Sequence, residues 1–104
     1  MSYLVLWSDF ALDRLTEFLD FIAQDNPSAA RRVVQDLFDR VQALADQPWL
    51  GHRLSDAAHT SMRRLVVGAY VLVYQVDEPA QTIWILAARH SRQRPFPEEG
   101  RSGR

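Results

Sequence analysis

The side chains that could do chemistry gather in one part of the chain. They are Arg63, Arg64, Arg89, His90, Arg92 and Arg94, with Tyr70 and Tyr74 between them. A guanidinium is planar and grips phosphates or carboxylates through two parallel hydrogen bonds. His90 is the one member suited to carrying a proton near neutral pH. Tyr70 and Tyr74 read more readily as core or interface aromatics than as acids. The residues by themselves leave two readings open, a binding surface for something anionic and unspecialised surface charge.

Other chemistries find no support. Three histidines and no cysteine do not make a metal site, since His52 and His59 fall in a loop without an i,i+4 partner on a helix. No Ser-His-Asp spacing and no phosphate-cradling Gly-rich loop is present. No metal and no cofactor are expected. Without cysteine there is no disulfide framework. The opening residues lack a basic n-region and meet Asp9 early, so they do not read as a signal peptide. No apolar run approaches a membrane span. A cytoplasmic protein with no membrane contact is expected.

Charge is unevenly spread. Residues 1–47 hold four arginines against eight acids, and residues 48–104 eight arginines against five. The basic half suits an anionic partner. All twelve basic residues are arginine, so no lysine is available as a tunable proton donor.

The elements that must position these groups follow from periodicity. Met62 to Val67 and Tyr70 to Val76 are rich in Val, Leu and Tyr and read as strands joined by a Gly68-Ala69 turn. Thr82 to Arg89 is a third strand, set off by Asp77 to Gln81, where Pro79 cannot donate to a ladder. Two turns are expected to bring Arg63-Arg64 and Arg89-His90 to one region of the sheet. Upstream, Tyr3 to Trp7 is a short strand. Ser8-Asp9 caps a helix running to about Gln24, and Asn26-Pro27 opens a second one to about Asp46. So short a link demands an antiparallel helical hairpin. Pro48 to Ser61 reads as a long loop.

The expected architecture is α+β, in the order β-α-α-β-β-β, with the hairpin packed on a mostly antiparallel four-stranded sheet. Residues 1–95 form one domain, and 96–104 a flexible tail. Pairing Val67 with Tyr70 and Val76 with Thr82 puts Arg63, Leu65, Val67, Tyr70, Leu72, Tyr74, Trp84, Leu86 and His90 on one face. Arg64, Val66, Val71, Val73, Ile83, Ile85, Ala87 and Arg89 take the other. Both faces are apolar and the hairpin covers only one. The other is expected to need a cover from a second chain.

In this order and spacing the chain resembles the RelE/ParE superfamily of toxins from type II toxin–antitoxin modules. The resemblance rests on Ser8-Asp9-Phe10-Ala11 before a helix, Asn26-Pro27 with Ala29-Ala30, and Leu44 with Pro48 and Gly51. It continues through Arg63, the Tyr70-Val71-Leu72-Val73-Tyr74 strand, and His90 before a basic end. It spans residues 3 to about 95. RelE-like members are ribosome-dependent mRNA endonucleases, for which only Arg63, Arg89 and His90 could serve here. This chain has no lysine, no tyrosine after Tyr74, and Val71 where such strands often carry arginine. It looks more like the ParE branch, whose members bind DNA gyrase without cleaving anything themselves.

The resemblance therefore implies a plasmid-stabilisation toxin that inhibits gyrase and is neutralised by a cognate antitoxin. It implies target contacts at Arg63, Arg64, Tyr70, Tyr74, Arg89, His90, Arg92 and Arg94. Antitoxin contacts are implied at Leu15, Phe18, Ile22, Val34, Leu37, Phe38, Val41 and Trp84. A homodimer or a toxin–antitoxin heterotetramer is compatible with it. One alternative is an mRNA endonuclease acting on the ribosome, and a second is an inactive member that only binds its antitoxin.

Overall fold

Ser8 converts the first strand into the first helix. The structure, a computed structural model, describes residues 2–54 and 61–94. Strand β1 (Leu4–Trp7) leads into helix α1 (Asp9–Asp25), then α2 (Pro27–Asp46), β2 (His52–Arg53), β3 (Met62–Val67), β4 (Tyr70–Asp77) and β5 (Thr82–His90). The Ser8 hydroxyl accepts from the Ala11 amide at 3.0 Å. Asn26 does the same for the Ala29 amide at 3.0 Å, with Pro27 in the first turn where its missing N–H is not needed.

The sheet has five strands in the order β1-β5-β4-β3-β2. β1 runs parallel to β5 and the other pairs are antiparallel, so the sheet is mixed. The fifth strand is cut from the stretch that reads as a loop: His52 pairs with Arg64 and Arg53 with Arg63. Residues 55–60 and the tail expected at 96–104 lie outside the described residues. At the β3–β4 turn Gly68 takes φ +59, which its missing Cβ permits.

The register of β5 departs from expectation. Asp77, not Val76, pairs with Thr82, and Val76 pairs with Ile83. The turn closes one residue tighter because the Asp77 carboxylate accepts the Ala80 amide and Gln81 adopts φ 51. Ile83 and Ile85 therefore face the helices beside Val76 and Tyr74, and Trp84 points the other way. A bulge then absorbs Leu86, because Tyr74 pairs with Ile85 while Val73 pairs with Ala87. Beyond it Ala88 and His90 rejoin the face of Leu72 and Tyr70. Trp84 is thus parted from the group assigned to it by alternation, and Leu86 falls in the bulge itself. Ser8 fastens the irregularity: its hydroxyl donates to the Leu86 carbonyl at 2.8 Å and its amide to Ile85 at 2.9 Å.

The core lies between hairpin and sheet. Leu37, Leu44, Leu65, Leu72, Tyr74, Ile83 and Ile85 are buried there, with Tyr3 and, from β1, Val5 and Trp7 packed against them. Burying each large side chain contributes about 1.5–3 kcal/mol. The far face is covered in part by the chain itself. Val71 and Val73 are buried, while Val66 and Trp84 stay exposed. More apolar area is open on the helices, where Phe10, Leu12, Phe21, Val34 and Phe38 are exposed. The need for a cover thus falls on the outer side of the hairpin more than on the sheet.

Candidate functional site

The cationic residues do not converge. In a three-stranded meander the first and third strands run the same way, so the start of β3 and the end of β5 lie at opposite ends. Arg63 stands opposite Tyr74, and His90 opposite Tyr70. That is four residues along β4, about 13 Å, with two strand spacings across it. The expectation that the turns unite Arg63-Arg64 with Arg89-His90 is corrected here. Faces separate them too, for Arg63 and His90 lie on the helix side and Arg64 and Arg89 on the far side.

Each basic residue has its own setting. The Arg63 Nη1 donates to the Gly51 carbonyl at 2.8 Å and the Trp49 carbonyl at 3.2 Å. Its guanidinium carbon sits 5.0 Å from the centroid of the Trp49 ring. Arg63 therefore fastens the loop after α2. Arg89 is 5% exposed, and its Nη1 donates to the carbonyls of His90 at 3.3 Å and Gln93 at 3.2 Å. Arg64 is half-buried; Arg92 and Arg94 are exposed just beyond β5.

His90 and Tyr70 form a small aromatic stack at the other end. The Tyr70 ring meets His90 edge-on at 5.4 Å and Phe18 of α1 at 5.4 Å. The Arg92 amide donates to His90 Nδ1 at 3.1 Å, which places the proton of the neutral ring on Nε2. Burial pushes the Tyr70 phenol above its ordinary value of 10.0.

Tyr74 belongs to the interior. Its side chain is fully buried, its oxygen accepts the Gly51 amide at 2.8 Å, and it donates to the Pro48 carbonyl at 2.9 Å. Burial raises this phenol above 10.0, against smaller downward pulls from the Gly51 amide and the Arg63 charge. Gly51 is required at the joint, because a Cβ there would lie 2.5 Å from the Arg64 carbonyl oxygen and 2.7 Å from the Tyr74 hydroxyl. Tyr74 is buried and Arg63 half-buried, and both hold the loop after α2.

The residues implied for the antitoxin divide as well. Val34 and Phe38 are exposed on α2, and Leu15, Phe18, Ile22 and Val41 are half-buried along the hairpin. Leu37 is buried against the sheet, and Trp84 is on the opposite face of the molecule. Alternation and helical stripes did not pick out Phe10, Phe21 or Trp49, because each lies off the apolar stripe or in a loop. Their size and exposure mark them only in three dimensions. No grouping of three His, Asp or Glu able to hold a metal exists among the described residues. No helix of these residues is long and apolar enough to cross a membrane.

Of the three residues that a nuclease reading would use, Arg63 is set apart from Arg89 and His90. A ribonuclease centre needs a proton carrier and phosphate-binding cations around one point. Here His90 stands apart from Arg63, and Arg89 has its Nη1 turned onto backbone carbonyls.

Known proteins share the sequence pattern and the fold. Residues 5–95 match the family described as ParE toxin of type II toxin-antitoxin system, parDE. Y4kP, a candidate toxin of Sinorhizobium fredii, is 33% identical over 91 residues, covering 86% of this chain and 88% of the relative. Among solved structures, the chromosomal ParDE system of P. aeruginosa superposes with a TM-score of 0.68 at 19% identity, over 86% of this chain and 96% of the other. The isolated E. coli RelE toxin gives 0.64 at 14% identity, over 98% of each chain. The RelBE2 toxin-antitoxin complex of Mycobacterium tuberculosis gives 0.61 at 23% identity, over 86% and 99%. At such identities the structures speak for the fold alone, and they share it across ParE and RelE names.

Proposed function

Because the chain belongs to the ParE toxin family of type II toxin–antitoxin systems, we propose that it inhibits DNA gyrase by binding it and is held inactive by a cognate antitoxin. The observation that supports this reading is the distance between Arg63 and His90, which parts two of the three residues that a nuclease reading would use. A toxin without a reaction of its own must act through its surface. The target is expected to meet the end of the sheet that carries Tyr70, His90, Arg92 and Arg94. The antitoxin is expected to cover the outer side of the hairpin around Val34 and Phe38, where large apolar side chains remain in water.

The test is induction of the chain without antitoxin, together with a supercoiling assay on purified gyrase. Filamentation, a DNA-damage response and loss of supercoiling are expected. Prompt loss of translation with transcripts cut on the ribosome would overturn the proposal in favour of an endonuclease. Normal growth would point to a member that only binds its antitoxin.

A further inference from the structure

The loop after α2 is built with unusual firmness for so short a segment. The buried Tyr74 hydroxyl, the Arg63 guanidinium and an obligatory Gly51 all fix its backbone. What this framework displays is Trp49, 40% exposed, and Leu50, 42% exposed. Beside Trp49 opens a cleft of about 400 Å³ lined also by Ser61, Gln75, Asp77, Glu78 and Trp84. That volume falls within the range of small-ligand sites. Trp84 reaches it because the tighter β4–β5 turn sends this ring away from the helices. Among the described residues neither Asp77 nor Glu78 has an ion-pair partner.

Two indoles on a preorganised frame, next to two carboxylates, select for positive charge. The Trp49 ring already holds one guanidinium, that of Arg63. We infer that the cleft between Trp49 and Trp84, at the end of the sheet away from Tyr70 and His90, is a second contact for the protein this toxin inhibits and takes an arginine or lysine side chain from it. Assigning this contact to the target rests on the reading above that the toxin acts by binding a protein. The cleft suits that partner because Trp84 lies on the face of the sheet away from the exposed phenylalanines of the hairpin. One surface can be capped while the other stays separate. A rigid aromatic anchor beside complementary charge is the arrangement that concentrates binding energy at protein interfaces.

The direct test titrates the purified full chain with the peptide Gly-Arg-Gly and with its uncharged citrulline counterpart, following the indole N–H signals by NMR. Trp7, packed on the helix side of β1, is the internal control. Signals of Trp49 and Trp84 should shift with saturation while that of Trp7 does not. The arginine peptide should bind at least about tenfold more tightly than the citrulline one. The double variant D77N/E78Q, which retains the Asp77 acceptor for Ala80, should erase that preference. Equal binding of the two peptides, a uniform response of all three indoles, or no saturable shift overturns the inference.

In cells the same variant should lose growth arrest by at least about tenfold while retaining antitoxin binding. Loss of antitoxin affinity with growth arrest intact would give the cleft to the antitoxin and overturn the assignment. If the wild-type chain leaves gyrase untouched but D77N/E78Q still loses growth arrest, the gyrase reading fails and the cleft stands.

Discussion

The hydroxyl of Tyr74 accepts the amide proton of Gly51 at 2.8 Å, tying the middle of β4 to the loop that follows α2 across 23 residues of chain. The same oxygen donates to Pro48, so removing it orphans two backbone groups. Tyr74→Phe is expected to cost about 1–3 kcal/mol. Gly51→Ala drives a Cβ into the Arg64 carbonyl and the phenol, and is expected to cost about 1–3 kcal/mol or more. Urea denaturation measures both. The double variant should fall short of the sum, since one joint is broken twice. Additive losses would mean that the two residues act independently.

Stability should also depend on alkaline pH. Burial holds the phenols of Tyr74 and Tyr70 above the ordinary 10.0, so the folded chain keeps these protons when the unfolded chain has begun to lose them. The raised value contributes stability that is complete below pH 10 and declines as pH climbs through and beyond it. Thermal melts between pH 8 and pH 11 should show this fall, and Tyr74→Phe should flatten it. A stability that rises over that interval would contradict the assignment.

Ser8 is a second structural joint. Its hydroxyl accepts the Ala11 amide and donates to the carbonyl of the bulge residue Leu86. Ser8→Ala removes a helix cap and exposes the bulge carbonyl, with an expected loss of about 1–2 kcal/mol. Ser8→Thr should recover most of it, since the hydroxyl is kept. Melting temperatures of the three chains check this.

His90 separates binding from cleavage. Removing a general acid or base costs about 10²–10⁴-fold in rate. A toxin that acts by contact should keep growth arrest within about tenfold in His90→Ala, scored by dilution plating after induction. Abolition of toxicity in a folded His90→Ala chain would instead call for a proton transfer.

Phe38 is 57% exposed on α2, so its truncation should spare the fold. Phe38→Ala is expected to leave stability within about 0.5 kcal/mol. It should weaken antitoxin binding by about 1–2 kcal/mol or more, and calorimetry of both equilibria decides. Unchanged antitoxin affinity would move the antitoxin off this face.

Local chemistry made much of this molecule readable from its residues. Ser8 and Asn26 had to cap, Pro27 had to open a helix, and Gly68 had to turn a hairpin, because each need is met within four residues of chain. The same holds for the order of elements and for the family resemblance, which is a matter of spacing along the chain. The faces of β5 were a different problem. They hinge on where the Asp77–Thr82 turn closes and on one extra residue at Leu86, and a slip of one reverses every side chain. The bulge is settled by Ser8, 78 residues away, which no local pattern can announce.

The basic residues show the same division. Their number and types were visible at once, but not that Arg63 would bend inward to Trp49 and Gly51 while Arg92 and Arg94 stayed in water. Amino-acid order alone established two capped helices, a meander and a toxin's lineage, since these depend on neighbours in the chain. Only the folded packing decided which cations are fasteners and which are surface. A guanidinium's role is set by the carbonyls and rings that long-range contacts bring to it.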